Sequence, residues 1–314
     1  MNIVLVGEES AGIQTLRALK QSAHRLVLVL ASSSKASSSG ASVWSAATKA
    51  GIPVWPAEMV KEPQLGNTLR EMNVDILLNV HSLYVIHAEV LKAASAGAFN
   101  LHPGPLPRYA GLNAVSWAIY RGETVHGVTL HKMVPDIDAG PIVYQSLFPI
   151  NQNDTALSLS AKCVKEGLVL IEKLLDSVAS MGSPIPLREQ DLAERQYFGK
   201  EIPEGGRLTW SWPATRIVNF VRACDYFPFH SPWGYPLTEL GITEIAIAKA
   251  SKTGSPCDVT PGTVGDRRDS GILVAGRDEW VLIKTLKIGK RYLPADHVLR
   301  QGQVLGRAPT LVRQ

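Results

Sequence analysis

The sequence predicts an α/β chain, with a mainly parallel, helix-flanked sheet in its first two thirds and a smaller β-rich domain behind it. Three observations carry this. Residues 2–30 read as strand, helix and strand, a βαβ unit, and such units join parallel strands by right-handed crossovers. Near residue 185 the character changes: Pro184, Pro186 and Pro203 punctuate the chain, Gly205-Gly206 makes a turn, and short apolar runs follow. A chain of 314 residues, 45% hydrophobic and 19% charged, suits two domains, each with its own core. The boundary falls near residue 200, giving domains 1–200 and 201–314.

In order, residues 2–7 are apolar and β-branched and end at Gly7, as a buried strand does. A helix follows, with Ser10 near its start and Ile13, Leu16 and Leu19 on one face. The turn between them, Gly7-Glu8-Glu9-Ser10-Ala11-Gly12, lacks the G-x-G-x-x-G spacing and reads as a tight turn leading into a helix rather than as a dinucleotide site. Leu26–Leu30 is a second strand. Ala31–Ser42 holds seven serines and one lysine and reads as a surface loop. Helices are predicted over Val43–Ala50 and Leu65–Met72, with a strand beginning at Gly51–Val54 and another over Val74–Val80. Ala98–His102 is a short strand, and three prolines at 103, 105 and 107 force a rigid loop directly after it. Leu112–Arg121 reads as helix and Gly127–Val134 as an alternating strand. Asp154–Val178 is the clearest helix, with Asp154 as N-cap and Leu157, Ala161, Val164, Leu168 and Leu175 at helical spacing. Beyond Arg207 a helix over Pro213–Ala223 precedes short strands at 244–248, 263–264, 271–274 and 279–286, the pattern of a small barrel or sandwich.

Composition excludes several classes. No apolar run nears the roughly 20 residues that span a bilayer. Met1–Gly7 has no basic leader region, and Cys163, Cys224 and Cys257 are odd in number and far apart, so a reducing cytoplasm is the expectation and a disulfide framework or closed zinc site is not. His81, His126 and His131 show no metal-ligand spacing. A net charge of +4 from scattered basic residues is no nucleic-acid footprint.

Asn100 and His102 sit at the end of a predicted parallel strand, where α/β sheets build their sites, and as i and i+2 they face one way. Asp138 follows the strand Gly127–Val134 in what reads as another strand-end loop. Amide, imidazole and carboxylate together suit attack of a neutral nucleophile on a carbonyl: the first two stabilise the oxyanion and the third sets the histidine's charge. Taken singly, each has a plainer reading. His102 alone reads as a structural histidine, and Asp138-Ala139-Gly140 alone as an Asx turn. No G-x-S-x-G elbow supports a hydrolytic triad.

The run Ala98-Phe99-Asn100-Leu101-His102-Pro103-Gly104-Pro105-Leu106-Pro107-Arg108-Tyr109-Ala110-Gly111 resembles the signature of the formyltetrahydrofolate-dependent formyltransferases. Trp117-Ala118-Ile119, Gly122-Glu123, Gly127–Leu130, Asp138–Ile142, Tyr197-Phe198-Gly199-Lys200 and Gly206–Trp210 keep that family's order. The resemblance covers nearly the whole chain. It implies a Rossmann-like catalytic domain, an OB-like C-terminal domain and 10-formyltetrahydrofolate as cosubstrate. By resemblance, His102 stabilises the tetrahedral intermediate and donates a proton, Asn100 binds the formyl oxygen, and Asp138 holds the histidine and helps deprotonate the amine. The resemblance puts the folate between Tyr84-Val85-Ile86 and Val134-Pro135-Asp136-Ile137-Asp138, with Leu112 nearby. Plain core packing is an equal reading for Val85 and Ile86. Two departures stand out: Gly104-Pro105 where the family often has a serine, and Leu112 where it often has an arginine.

The acceptor implied is a small or tethered amine, such as a nucleotide-linked amino sugar or a carrier-bound aminoacyl group. A tRNA acceptor fits less well, because Ala31–Ser42, where the tRNA enzymes carry a basic insertion, offers only Lys35. Pro228–Trp233 reads either as a packed loop or as an aromatic border to the acceptor pocket. A formyltetrahydrofolate hydrolase or a non-catalytic folate-binding module are the alternatives.

Overall fold

The computed structural model describes residues 1–33, 42–180 and 184–306. Most of the serine-rich stretch, residues 34–41, lies outside the described residues. The first part of the chain runs β1 (Asn2–Gly7), α1 (Glu9–Gln21), β2 (Arg25–Ala31), α2 (Val43–Lys49), β3 (Val54–Pro56), α3 (Gln64–Glu71), β4 (Ile76–Val80), α4 (Ala88–Leu91) and β5 (Gly97–His102). Then come β6 (Ala110–Gly111), α5 (Ala114–Arg121), β7 (Val125–Lys132), β8 (Ile142–Pro149), α6 (Ala156–Ala179) and β9 (Tyr197–Phe198). The last part is α7 (Ala214–Ala223), β10 (Leu237–Leu240), β11 (Thr243–Pro256), β12 (Val264–Arg268), β13 (Gly271–Ala275), β14 (Glu279–Ile288), β15 (Arg291–Pro294) and α8 (Ala295–Val298).

Two compact units form. One comprises Met1–Leu112, His126–Phe148 and Ala161–Phe198; the other comprises Asn113–Val125, Pro149–Ser160 and the described residues from Gly199 onward. The main sheet of the first has the order β3-β2-β1-β4-β5-β7-β8. Strands β3, β2, β1, β4 and β5 are parallel, and the apolar residues of the central β1 and β4 are buried on both faces, as helices covering both sides require. The order reverses beside β1, the topological switch point where such sheets open a crevice at their carboxyl ends.

Several sequence expectations need correcting in detail. β7 runs antiparallel to β5, so its end points back toward the start of β5 rather than toward the crevice. β8 does not stand out in the sequence, because its second half is exposed and only Ile142 and Val143 are buried. On α1 the buried face is Ala11, Gly12, Thr15, Leu16 and Leu19, with Ile13 turned aside. The buried stripe of α6 is Leu159, Cys163, Gly167, Leu170, Ile171, Leu174 and Leu175, rotated from the predicted one, which shares only Leu175 with it. The α6 start is capped by Thr155 and Ser158, whose hydroxyls accept each other's backbone N–H at 3.3 and 3.0 Å. Asp154 sits beside this box instead, taking the Asn151 N–H and the Ser158 hydroxyl.

In the second unit, α7 buries Ile217, Val218 and Val221 in a core with Trp210, Ile245, Ile247, Val264, Val274 and Ile283. Its antiparallel sheet has the order β10-β11-β14-β13-β12, with β15 on β14. Leu305 bridges to Leu240 at one edge, and Val304 bridges to Thr263 beside the other. Residues 304–305 thus link the two edges of the sheet at one end. α5 carries Tyr120 against Phe220 of α7, ring centroids 5.2 Å apart. In the 228–233 loop Trp233 is buried against Trp117 at 4.9 Å, while Phe229 is exposed.

Candidate active site

Sheet register builds the site. Asn79 of β4, Asn100 of β5 and His131 of β7 are direct partners across the ladder, so their side chains share one face. Asn79 Nδ2 donates to Asn100 Oδ1 at 2.9 Å. Asn100 Nδ2 in turn lies 3.1 Å from His131 Nε2 and 3.2 Å from Asp138 Oδ1. His131 Nδ1 lies 3.0 Å from the Lys132 carbonyl, which can only accept, so that nitrogen carries the proton and Nε2 accepts from Asn100.

Asp138 reaches this row although β7 ends at the far side. The chain turns at 133–139 and comes back along β7, Lys132 N–H donating to the Pro141 carbonyl at 2.9 Å. Gly140 permits the return: a Cβ there would stand 1.9 Å from the Lys132 carbonyl oxygen. Gln190 Nε2 clamps the turn, donating to the carbonyls of Asp138 at 2.9 Å and Gly140 at 2.6 Å, and Arg195 holds Ile137 O at 2.8 Å. Asp138 itself has φ 53°, a left-handed conformation that costs a non-glycine residue about 1–3 kcal/mol and marks sites under constraint.

His102 is 4% exposed. Its Nε2 lies 2.7 Å from the carbonyl of Tyr109, and its Nδ1 lies 3.4 Å from Asp138 Oδ2. The Pro-rich loop holds Tyr109 for this: Thr129 Oγ1 donates to Gly104 O at 2.7 Å and accepts from Leu106 N at 3.1 Å. Tyr109, with φ 60°, stacks on Phe198 at 5.4 Å. β6 pairs with β9, and Gly111 N–H donates to Asp138 Oδ2 at 2.8 Å. No other residue fits at 111, where φ is 87° and a Cβ would meet the Phe198 carbonyl oxygen at 2.2 Å.

Charge follows from this geometry. Burial pushes the Asp138 carboxyl up, but His102, His131 and the Gly111 N–H outweigh it and hold the group well below the usual carboxylate range. Burial pulls His102 below 6.5, against the opposing pull of Asp138 and the Tyr109 carbonyl. At neutral pH the pair is therefore a carboxylate beside a neutral imidazole. A proton arriving at His102 Nδ1 meets Asp138, so the arrangement can take up positive charge as a reaction proceeds.

The structure brings Asn100, His102 and Asp138 together. The other predicted positions scatter. Ile86 is buried in the first unit's core, Tyr84 packs against that core with Lys61 over its ring at 5.0 Å, and Val85 is 60% exposed. Val134 and Pro135 border a surface cleft with Leu91, Lys92, Gly97 and Lys132. Asp136 and Ile137 are exposed, and Leu112 is half-buried with its N–H on Phe198 O at 2.8 Å. Sequence reasoning missed His131, Asn79 and the backbone groups of Tyr109 and Gly111. Pairing the alternating β7 antiparallel to β5 is the signal that finds His131. Among the described residues no cluster of histidine, cysteine and acidic side chains could hold a metal, and no helix is long and apolar enough to cross a membrane.

A family model described as formyl transferase matches residues 1–174, and one described as formyl transferase, C-terminal domain, matches residues 202–302. Among solved structures, the chain is similar to an N-formyltransferase from Helicobacter canadensis in complex with folinic acid and dTDP-3-aminofucose, at 19% identity and TM-score 0.69, covering 90% of this chain and 98% of that one. It is similar to WlaRD, a sugar 3N-formyltransferase seen with dTDP and 5-N-formyl-THF, at 20% identity and TM-score 0.67, covering 90% and 97%. HypX from Aquifex aeolicus, in complex with tetrahydrofolic acid, matches 95% of this chain over 46% of its own, at 22% identity and TM-score 0.61.

Proposed function

The chain belongs to the formyl transferase family, and on that premise we propose that it moves the formyl group of 10-formyltetrahydrofolate to the primary amine of a small acceptor, in the first instance an amino sugar carried on a nucleotide. The observation that carries the reading is the convergence of Asn100, His102 and Asp138, drawn from one strand and a folded-back loop, on one buried site. Support for the cosubstrate and the acceptor comes from the similar structures, whose descriptions include folate compounds and dTDP-3-aminofucose.

The geometry suits the steps. The amine attacks the formyl carbon, a C–N bond forms and the carbonyl oxygen becomes an oxyanion. The Asn100 N–H that points to Asp138, at 3.2 Å the longer of its two bonds, is the one free to turn to that oxygen. His102 takes positive charge as the intermediate forms, stabilised by the ionised Asp138, and the proton shed by the amine passes through this pair to N10 as the C–N10 bond breaks.

The test mixes purified protein with 10-formyltetrahydrofolate and a panel of nucleotide-linked amino sugars, carrier-bound aminoacyl groups and initiator methionyl-tRNA, reading a mass gain of one formyl group. Transfer to an amino sugar is expected. His102→Ala abolishes it, and Asn100→Ala lowers kcat by roughly 10²–10³-fold. Parental rates in either variant, or transfer to tRNA alone, overturn the reading.

A further inference from the structure

A second histidine stands at the mouth of the same crevice and is absorbed by none of these steps. His81 follows directly on β4, two residues beyond Asn79, as His102 lies two beyond Asn100 on the neighbouring strand. Its backbone is left-handed, φ 59°, a costly conformation for a non-glycine residue and one concentrated at functional sites. Its Nδ1 lies 3.2 Å from Oε2 of Glu9, the first residue of α1, which is also left-handed at φ 57°. The tight turn before α1 is tied to β4 by the Glu8 N–H, which donates to the Val80 carbonyl at 3.1 Å. The two strained residues therefore face each other across the switch point.

Bonded to a carboxylate, Nδ1 carries the proton, which leaves Nε2 as the basic nitrogen. Among the described residues no group bonds that Nε2, and the side chain is 17% exposed, so it is open to solvent. The neighbouring Ser82 hydroxyl is buried and also has no protein partner. Charge points to the kind of ligand. A helix N-terminus at a switch point ordinarily draws anions, but here Glu8 and Glu9 occupy it, Glu8 Oε1 accepting the Ser32 N–H at 2.6 Å. The crevice beside α1 therefore favours a cation. His81 also lies close enough to His102 for a charge on it to lower the proton affinity of His102.

We propose that His81, oriented by Glu9, is the group that meets the acceptor amine and removes its ammonium proton before attack. This rests on the amine-transfer reading above. The step balances: R–NH3⁺ gives its proton to His81 Nε2, and the free amine attacks the formyl carbon. His81 releases that proton to solvent, and the second amine proton leaves on N10 by way of the His102–Asp138 pair. Glu9 of α1 and His102 of β5 are the titratable groups that act on His81 or feel its charge, with Asp138 and His131 beyond His102.

The test measures kcat/KM from pH 6.5 to 9.5 with 10-formyltetrahydrofolate and two probes, dTDP-3-aminofucose and methylamine. His81→Asn keeps a side chain that tolerates the left-handed backbone and can bond Glu9, but it is no base. It should lose roughly 100-fold at pH 7, and the loss should shrink steeply toward pH 9.5, where free amine is present without help. His81→Gly relieves the backbone, so it folds, and should show the same pH-dependent loss; Glu9→Gln should show a smaller one. Wild-type rates in His81→Asn or His81→Gly, or a loss that is constant with pH, would overturn the assignment while leaving the transfer reading intact. A wild-type protein silent with both amines and with the whole amino-sugar panel would overturn the transfer reading, and the role of His81 with it.

Discussion

Asn100 of β5 and His131 of β7 face each other across the antiparallel ladder, with Asn100 Nδ2 3.1 Å from His131 Nε2. His131 is 2% exposed, and its ring is fixed from behind by the Lys132 carbonyl. It holds the amide that is proposed to meet the formyl oxygen.

His131→Phe keeps a ring of similar bulk but leaves a buried Asn100 N–H without its acceptor, a cost of about 1–3 kcal/mol. Urea denaturation should show that loss. Kinetics should show kcat falling more than KM rises, with His131→Gln recovering part of both. An unchanged kcat would mean that Asn100 needs no such support.

Gly104 makes room for His102. A Cβ at 104 would stand 2.8 Å from His102 Nε2 and 2.9 Å from the Tyr109 carbonyl oxygen, within the space their hydrogen bond occupies. This gives a physical reason for glycine where the family often has serine: in this ring position a side chain collides. Gly104→Ala should displace the imidazole and lower kcat by roughly 100-fold, the cost of misplacing a reacting group by about 1 Å. Folate affinity, measured by fluorescence titration, should change little.

Stability should fall on mild acidification. His102 is held below its ordinary 6.5, chiefly by burial, so the unfolded chain binds a proton there at a pH where the native chain does not. The native state therefore loses stability as pH falls through about 6.5 and below, at no more than about 1.4 kcal/mol per pH unit for one proton. Asp138 acts lower. Its depressed value stabilises the fold above the ordinary carboxylate range, and that contribution is lost only as pH falls toward its native value. Thermal melts from pH 7.5 to 5 should thus slope downward, and His102→Asn should flatten the slope. A slope unchanged in that variant would place its origin elsewhere.

The three thiols should separate by reactivity. Cys163 and Cys224 are each 1% exposed, and burial pushes both well above the ordinary thiol range, whereas Cys257 is half-buried. A disulfide reagent should titrate one thiol quickly in the native protein and three after denaturation. Fast reaction of more than one would contradict the packing of α6 or α7.

The sequence by itself determined the order of the longer strands and helices through residue 121, missing only the short α4 and β6, because each longer apolar run there carries its own period and its own Gly or Pro boundary. It also singled out the three candidate site residues, since Asn100 and His102 lie on one strand, where spacing alone fixes their common face, and Asp138 follows the next long strand in a turn; the formyltransferase resemblance added the roles proposed for them. Tertiary structure decided the rest. Nothing local tells β7 to run antiparallel to β5, and that pairing, made between residues some 30 apart, sets His131 opposite Asn100 and obliges the chain to fold back before Asp138 can reach its partners. The Tyr109 carbonyl that accepts from His102 and the Gly111 N–H that donates to Asp138 are backbone groups, so no residue type announces them. The turn of α6 shows the same limit on a smaller scale. Its sequence specifies an amphipathic helix, but which of two adjacent stripes is buried depends on the sheet that receives it, where Leu101 packs against Gly167.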